Sequence, residues 1–349
     1  MKKTLLATAI AGAMGVSAAA HAATVYDQDG TTVDLYGRIA MGVTTGGQDA
    51  EDGSKTTGSE VVDIFSRFGF RASNQIDNDL RAFANLEFRP GDDFTAAQET
   101  ELTTRNAFVG LESQQFGTVR LGNFDGIYWQ AVSSVFDVQP YLGLQATGGA
   151  FQSRGDTLAY STPNLEGFQA HLQAKHYTGN ADADVVEERS DNSSKVNAQA
   201  AVTYEIDALR LGLGFSEDIE RGGGTGENLY GGSAVYGFTD TLSARAIYET
   251  QSNVEDTYGL GLTFADGPFT VHADIYHFRA QGDEKDARRA DDQSTTRDGW
   301  SLSGIYAFSS SFDVFTEVVD NDRPTIESDT RLGDLTDDVR WTTGVRYHF

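Results

Sequence analysis

Cysteine is missing from all 349 residues, and basic side chains are outnumbered two to one, 26 Lys and Arg against 52 Asp and Glu. Without thiols there is no disulfide framework, no cysteine-based metal site and no thiol nucleophile, so closure of the fold must come from elsewhere. A net charge of −26 excludes nucleic acid, whose phosphates demand a basic face. The same acidity suits a hydrated surface in a salty medium. Long apolar runs are also missing. A spanning helix needs about 20 consecutive apolar residues, and nothing beyond the N-terminal region approaches that. Only strands could carry this chain across a membrane, since each needs just about 10 residues of alternating character.

The N-terminus carries a secretory pattern. Lys2 and Lys3 form a positive start, residues 5–20 are an apolar run of small side chains, and Ala20-His21-Ala22 is an A-x-A cleavage pattern. The expected division is a cleaved leader over 1–22 and one domain over 23–349, with a net charge of −28 once Lys2 and Lys3 leave.

What the chain does contain is one theme repeated. Segments of 8 to 14 residues alternate apolar and polar, then a turn or polar loop follows. Leu209, Leu211, Leu213 and Phe215 alternate with Arg210, Gly212, Gly214 and Ser216. Val339, Trp341, Thr343, Val345, Tyr347 and Phe349 alternate with Arg340, Thr342, Gly344, Arg346 and His348. Short turns (Thr239-Asp240, Ser309-Ser310-Ser311) take turns with long polar stretches near 45–59, 90–102, 122–153, 178–194, 217–227, 280–297 and 321–337. Outer-membrane barrels have this asymmetry of short and long connections, and about sixteen strands fit. The expected fold is therefore all-β, a 16-stranded antiparallel transmembrane barrel whose closure removes every sheet edge. A soluble sandwich gives the same alternation with a dry core. Aromatics near strand ends (Phe68, Phe70, Phe88, Phe238, Phe264, Phe308) favour the barrel, because they suit interface girdles. The deciding point is which face is wet: Val202, Leu211 and Leu213 must face lipid, and Arg38, Arg67 and Arg105 the bore.

Catalytic patterns are weak. Of six histidines, His21 lies in the leader and His171, His176, His272, His277 and His348 lie on strands, with no G-x-S-x-G elbow beside them. Lone strand histidines read as polar wall residues. The run Gly222-Gly223-Gly224 has neither the Lys nor the strand-to-helix context of a phosphate loop. No cofactor is expected. Acid clusters (Asp182, Asp184, Glu187, Glu188 and Asp191; Asp320, Asp322, Asp334, Asp337 and Asp338) match no calcium-loop spacing and read as hydrated loop surface, the alternative being binding of divalent cations shared with lipopolysaccharide.

Four stretches carry a resemblance: residues 25–38 (VYDQDGTTVDLYGR), 66–71 (SRFGFR), 104–111 (TRNAFVGL) and the ending 344–349 (GVRYHF). Together they resemble the trimeric general diffusion porins of the Gram-negative outer membrane. The resemblance implies a passive channel for ions and small hydrophilic solutes, a homotrimer, and surroundings of outer-membrane lipid and lipopolysaccharide. It implies that the final Phe349 is read by the barrel-insertion machinery, and that the 90–102 loop latches onto a neighbouring subunit. It also implies that the third external loop, here 122–153, folds inward. That stretch is apolar for a loop, with Ile127, Tyr128, Trp129, Val132, Val135, Phe136, Tyr141 and Leu142.

The family's constriction sets basic wall residues opposite acids on that loop. Arg38, Arg67 and Arg105 fall on the matching wall positions and on the polar register, and Arg154 corresponds to a fourth. Asp137 matches one loop acid with a one-residue offset. A second acid, expected just after a proline, is absent: Tyr141 follows Pro140. This thins the acidic side, so only weak cation preference is expected. Arg71, Arg81, Arg89 and Arg346 suit structural ion pairs. The competing reading is a substrate-specific sugar channel, for which Tyr128, Trp129 and Tyr141 could begin an aromatic file.

Overall fold

The computed structural model describes residues 22–45, 58–90, 101–143, 155–177, 195–218, 225–291, 293–324 and 339–349. The leader through residue 21, Arg154 and the acid cluster of residues 182–191 lie outside them, as do Asp334, Asp337 and Asp338. The first strands are β1 (Ala23–Gln28), β2 (Thr31–Thr45), β3 (Ser59–Asp63), β4 (Arg67–Gln75), β5 (Leu80–Pro90), β6 (Leu102–Ser113) and β7 (Gly117–Asn123). A helix α1 (Ile127–Ala131) and a single 3-10 turn (Ser133–Phe136) follow. Then come β8 (Thr157–Ser161), β9 (Phe168–Tyr177), β10 (Lys195–Ile206), β11 (Leu209–Ser216), β12 (Leu229–Gly237), β13 (Leu242–Gln251), β14 (Glu255–Asp266) and β15 (Phe269–Ala280). After helix α2 (Gly282–Ala290), β16 (Thr296–Ser309), β17 (Phe312–Pro324) and β18 (Arg340–His348) complete the chain.

These 18 segments form one antiparallel sheet. β3 and β4 pair with successive parts of one edge of β2. β18 and β1 share its other edge in the same way, β18 against residues 38–45 and β1 against residues 31–35. Two wall positions are thus each filled by two segments, leaving sixteen positions, and pairing of β18 with β2 closes the ring. Phe349 seals the junction: Gly37 N donates to its carbonyl at 2.7 Å and its own amide donates to Gly37 O at 3.0 Å. Closure matters because lipid offers no hydrogen bonds, so an unpaired edge would cost several kcal/mol per group.

The two faces have the polarity of a channel. Leu213, Leu260 and Leu172 are 61%, 59% and 59% exposed, and Leu211 also faces outward. Between them Arg210, Gln199, Thr263 and Glu249 are buried on the other face. Aromatics collect at both ends of the greasy band. On β12, Tyr230 and Tyr236 are six residues apart, about 20 Å along a strand, against an apolar band of about 25 Å in such barrels. At the short-turn end Phe269, Tyr306 and Phe308 meet edge to face in series, with ring centroids 4.8 and 4.9 Å apart. Asp320 departs from the sequence reading. It belongs to β17 and is buried, because that strand runs on to Pro324.

Candidate functional site: the lumen and its inward segment

Residues 124–143, after β7, lie along the inner wall. Phe124, Ile127, Tyr128, Val132, Val135 and Phe136 are buried against Ala159, Ala201, Leu229, Val235, Ile247, Tyr276 and Phe278. All seven partners occupy the inward register of their strands, so the apolar character of this loop is explained by what it covers. Glycines make room for it. A Cβ on Gly212 would stand 2.0 Å from Ala131 O, and one on Gly231 2.0 Å from Tyr128 Oη. The helical amides at the start of α1 have no partners within the helix, and wall amides serve them: Ile127 N donates to Gln173 Oε1 (2.9 Å) and Tyr128 N to Gln199 Oε1 (3.1 Å).

Three wall carboxylates hold the rest. Glu249 accepts from Tyr128 OH at 3.2 Å and Ser133 Oγ at 2.8 Å. Asp274, ion-paired with Arg245, accepts from Gln139 Nε2 at 2.6 Å. Glu317 accepts from Tyr141 N and Leu142 N, both at 2.6 Å. The segment therefore follows the wall from β8 to β17, its Tyr141 end also packs against Ala40, Val62 and Ile64 at β2 and β3, and the arginine-bearing part of the β2–β7 side is left to the bore.

On that side Arg38 interacts electrostatically with Arg67, Arg346, Asp137 and Arg105, and Arg67 with Arg105, Glu87 and Asp137. Arg38 donates through Nε to Phe65 O (3.0 Å) and through Nη2 to Ile64 O (3.4 Å). Arg105 pairs with Glu87 at 2.5 Å and Asp125 at 3.4 Å, and Arg67 Nε lies 4.0 Å from Glu87. Asp137, on the inward segment, has Arg67, Arg38 and Arg105 as its neighbouring cations. Arg105 reaches the lumen for a reason that alternation does not supply. The β5–β6 register shifts so that Glu87 pairs with Asn106 and Phe88 with Thr104. Arg105 is the extra residue of this β-bulge, a device that re-aims side chains beside functional sites.

Sequence reasoning did not single out Glu87 or Asp125. The available signal for Glu87 was its inward parity with Asn85 on β5; its Oε2 accepts from Tyr36 OH at 2.9 Å. Arg81 pairs with Glu112, and Arg346 with Asp313 at 2.8 Å, both on neighbouring strands. Arg71 lies over the Tyr36 ring, 4.0 Å from its centroid.

A closed barrel of sixteen wall positions, greasy outside and polar within, defines a membrane channel. Residues 7–349 match the family model of the Gram-negative porins, and the chain belongs to that family, the passive channels of the outer membrane. It is 28% identical to the "monosaccharide porin" of Halomonas sp over 94% of this chain and 97% of that one. It is 32% identical to "outer membrane porin F" of Salmonella typhimurium LT2 over 43% of this chain and 39% of that one. The fold matches Salmonella typhi OmpF, solved in complex with daunomycin, at TM-score 0.70 and 19% identity, covering 94% of this chain and all of that one. It also matches the anion-selective porin of Comamonas acidovorans at TM-score 0.66 and 16% identity, covering 91% and 100%.

Proposed function

We propose that this porin is a general diffusion channel whose sorting of solutes happens where Asp137 faces Arg38, Arg67 and Arg105 across the bore. The juxtaposition of that one acid with three arginines carries the reading. Facing rows of opposite charge set up a transverse field that orients water, so polar solutes pass and apolar ones must disturb ordered water. Rings of charged side chains are a common source of channel selectivity.

Selectivity is weak because the charges nearly balance. Glu87, Asp125 and Asp137 stand against the three arginines. Loop acids contribute little at a distance. A charge pair ~10 Å apart in water is worth about 0.4 kcal/mol, and screening sets in over about 8 Å at physiological salt and about 3 Å at 1 M. The expected behaviour is slight cation preference at low salt that fades at high salt. Reversal potentials in planar bilayers test it, and strong anion selectivity at every salt overturns it.

Catalysis plays no part in this reading. The His171 ring is occupied by the hydroxyls of Ser161 (2.9 Å) and Thr203 (3.3 Å), a wall contact without an orienting acid. The working unit is a homotrimer in lipid and lipopolysaccharide. Support comes from an outward recess of about 520 Å³ lined by Ala72, Ala82, Ala84, Val109, Leu111 and Val119, which a second wall would fill. Cross-linking of the detergent-extracted protein reads the subunit number directly. The C-terminal Phe349 serves recognition by the insertion machinery.

A further inference from the structure

Two irregularities meet at one place in the lumen. The first is the break between β3 and β4. There Phe65 adopts φ 55°, in the left-handed region that bulky side chains avoid. Such strain persists only where the surroundings dictate it, and it gathers at functional sites. The surroundings are plain. Ile64 N donates to Ala40 O at 2.8 Å, Ala40 N donates to Ser66 Oγ at 2.9 Å, and Ser66 N donates to Asp63 Oδ1 at 2.9 Å. Arg38 takes up the carbonyls of Ile64 and Phe65.

The second irregularity is Tyr141. Its amide is held by Glu317, and its ring turns to Phe65, with centroids 5.6 Å apart and planes tilted by 53°. Because Tyr141 belongs to the inward segment, the Phe65 ring facing it stands on the lumen side. Phe65 is 49% exposed. An exposed apolar ring is thus presented on the lumen side, next to the arginines and Asp137.

We propose that Phe65, backed by Tyr141, is a stacking platform for ring-form monosaccharides in transit, with Arg38, Arg67 and Asp137 as partners for their hydroxyls. The proposal rests on the diffusion-channel reading and names a preferred solute class for it. A pyranose has a C–H-lined face that matches the negative face of an aromatic ring, and hydroxyls on its edge for charged donors and acceptors. Binding sites generally combine these two elements, apolar surface and a few placed polar groups. Ions and acyclic polyols meet only the polar half.

The test compares D-glucose with sorbitol, which has as many carbons but no ring. In planar bilayers of the purified full-length protein, glucose should depress conductance saturably and add current noise, and sorbitol should do neither at equal concentration. Phe65→Gly keeps the left-handed backbone and the carbonyls that Arg38 needs while removing the ring. It should raise the half-saturating glucose concentration at least tenfold. Phe65→Tyr should restore it, and Tyr141→Ala should weaken it. A ring that merely clasps the loop would change sugar-free noise in Phe65→Gly and leave the glucose–sorbitol difference intact. That result overturns the proposal, as does equal, non-saturating passage of both solutes in the wild type. If the protein gives no channel current at all, the porin reading fails and this inference fails with it.

Discussion

Replacing Glu317 should loosen the segment it holds without loosening the barrel. This carboxylate is 1% exposed and receives the amides of Tyr141 and Leu142, both at 2.6 Å. Hydrogen bonds to a charged group contribute about 1.5–3 kcal/mol each, and a buried amide left without a partner is costly. Glu317→Ala therefore weakens the hold on the tip of the inward segment by about 3–6 kcal/mol. Glu317→Gln retains one acceptor oxygen and should lose about half of that. A loss of about 3 kcal/mol multiplies the population of a released state more than a hundredfold, since each 1.4 kcal/mol is tenfold. A tip released ~0.1% of the time in the wild type would then be released for about a tenth of it. Single-channel recording at fixed voltage reads this as open-channel flicker, graded Ala > Gln > wild type. The strand ladders of β17 with β16 and β18 are main-chain bonds and survive the change, so the heat-resistant gel mobility of the folded barrel should hold. Wild-type noise in a correctly folded Glu317→Ala channel would refute the assigned role of the carboxylate.

Other predictions come from the same geometry. Gly212→Val puts a Cβ 2.0 Å from the Ala131 carbonyl, a backbone atom that cannot rotate away. It should displace α1 at an overpacking cost of about 1–3 kcal/mol or more and change single-channel conductance, whereas Gly304→Ala, with open space around it, should not. Glu87→Gln removes the shared counter-charge of Arg105 and Arg67 and should move the reversal potential toward anions, while Asp137→Asn should do so without touching the wall. At the short turn after β4, the Asp77 carboxyl lies below the ordinary carboxylate range because the amides of Leu80 and Asp79 donate to it. Its contribution is therefore complete at neutral pH and lost only as pH falls through that lowered value. A carboxyl NMR titration of Asp77 that gave an ordinary or raised midpoint would contradict this.

Alternation alone carried most of the fold. Leu211 and Leu213 face out and Arg210 and Ser216 face in, as a period of two demands. Two features escaped that rule. The bulge at Arg105 and the break at Phe65 are single-residue departures, and a one-residue slip reverses every side chain beyond it. Arg105 was assigned inward on parity, yet it points inward because the register shifts there. The glycines facing the inward segment were visible as Gly212, Gly214 and Gly231. Their reason was not, since it lies in a segment far earlier in the chain, at Tyr128, Ala131 and Val132. Nothing in the local sequence singles out Glu87, Glu249, Asp274 and Glu317. Pairing across long sequence separations gave them partners, and no local pattern announces that.

The inner wall is thus divided mainly between two kinds of chemistry, and the division explains how residues 124–143 are held against it. Over β8–β17 the inner wall supplies small or apolar side chains for packing and carboxylates and amides for the segment's polar groups. Moving the segment as a unit would expose its apolar face and strip several amides of their acceptors at once. Each loss alone is about the size of a thermal fluctuation's occasional reach, but together they are prohibitive. Over β2–β7 the wall instead holds its arginines by carbonyls, by Glu87 and by Asp125. On the proposed reading, one side of the bore fixes the segment and the other sorts solutes. Substitutions on the β8–β17 side should therefore alter noise and conductance together, and substitutions on the β2–β7 side should alter selectivity with the open level nearly unchanged. A set of wall variants that scattered across both readouts without regard to side would show that the division has no functional meaning.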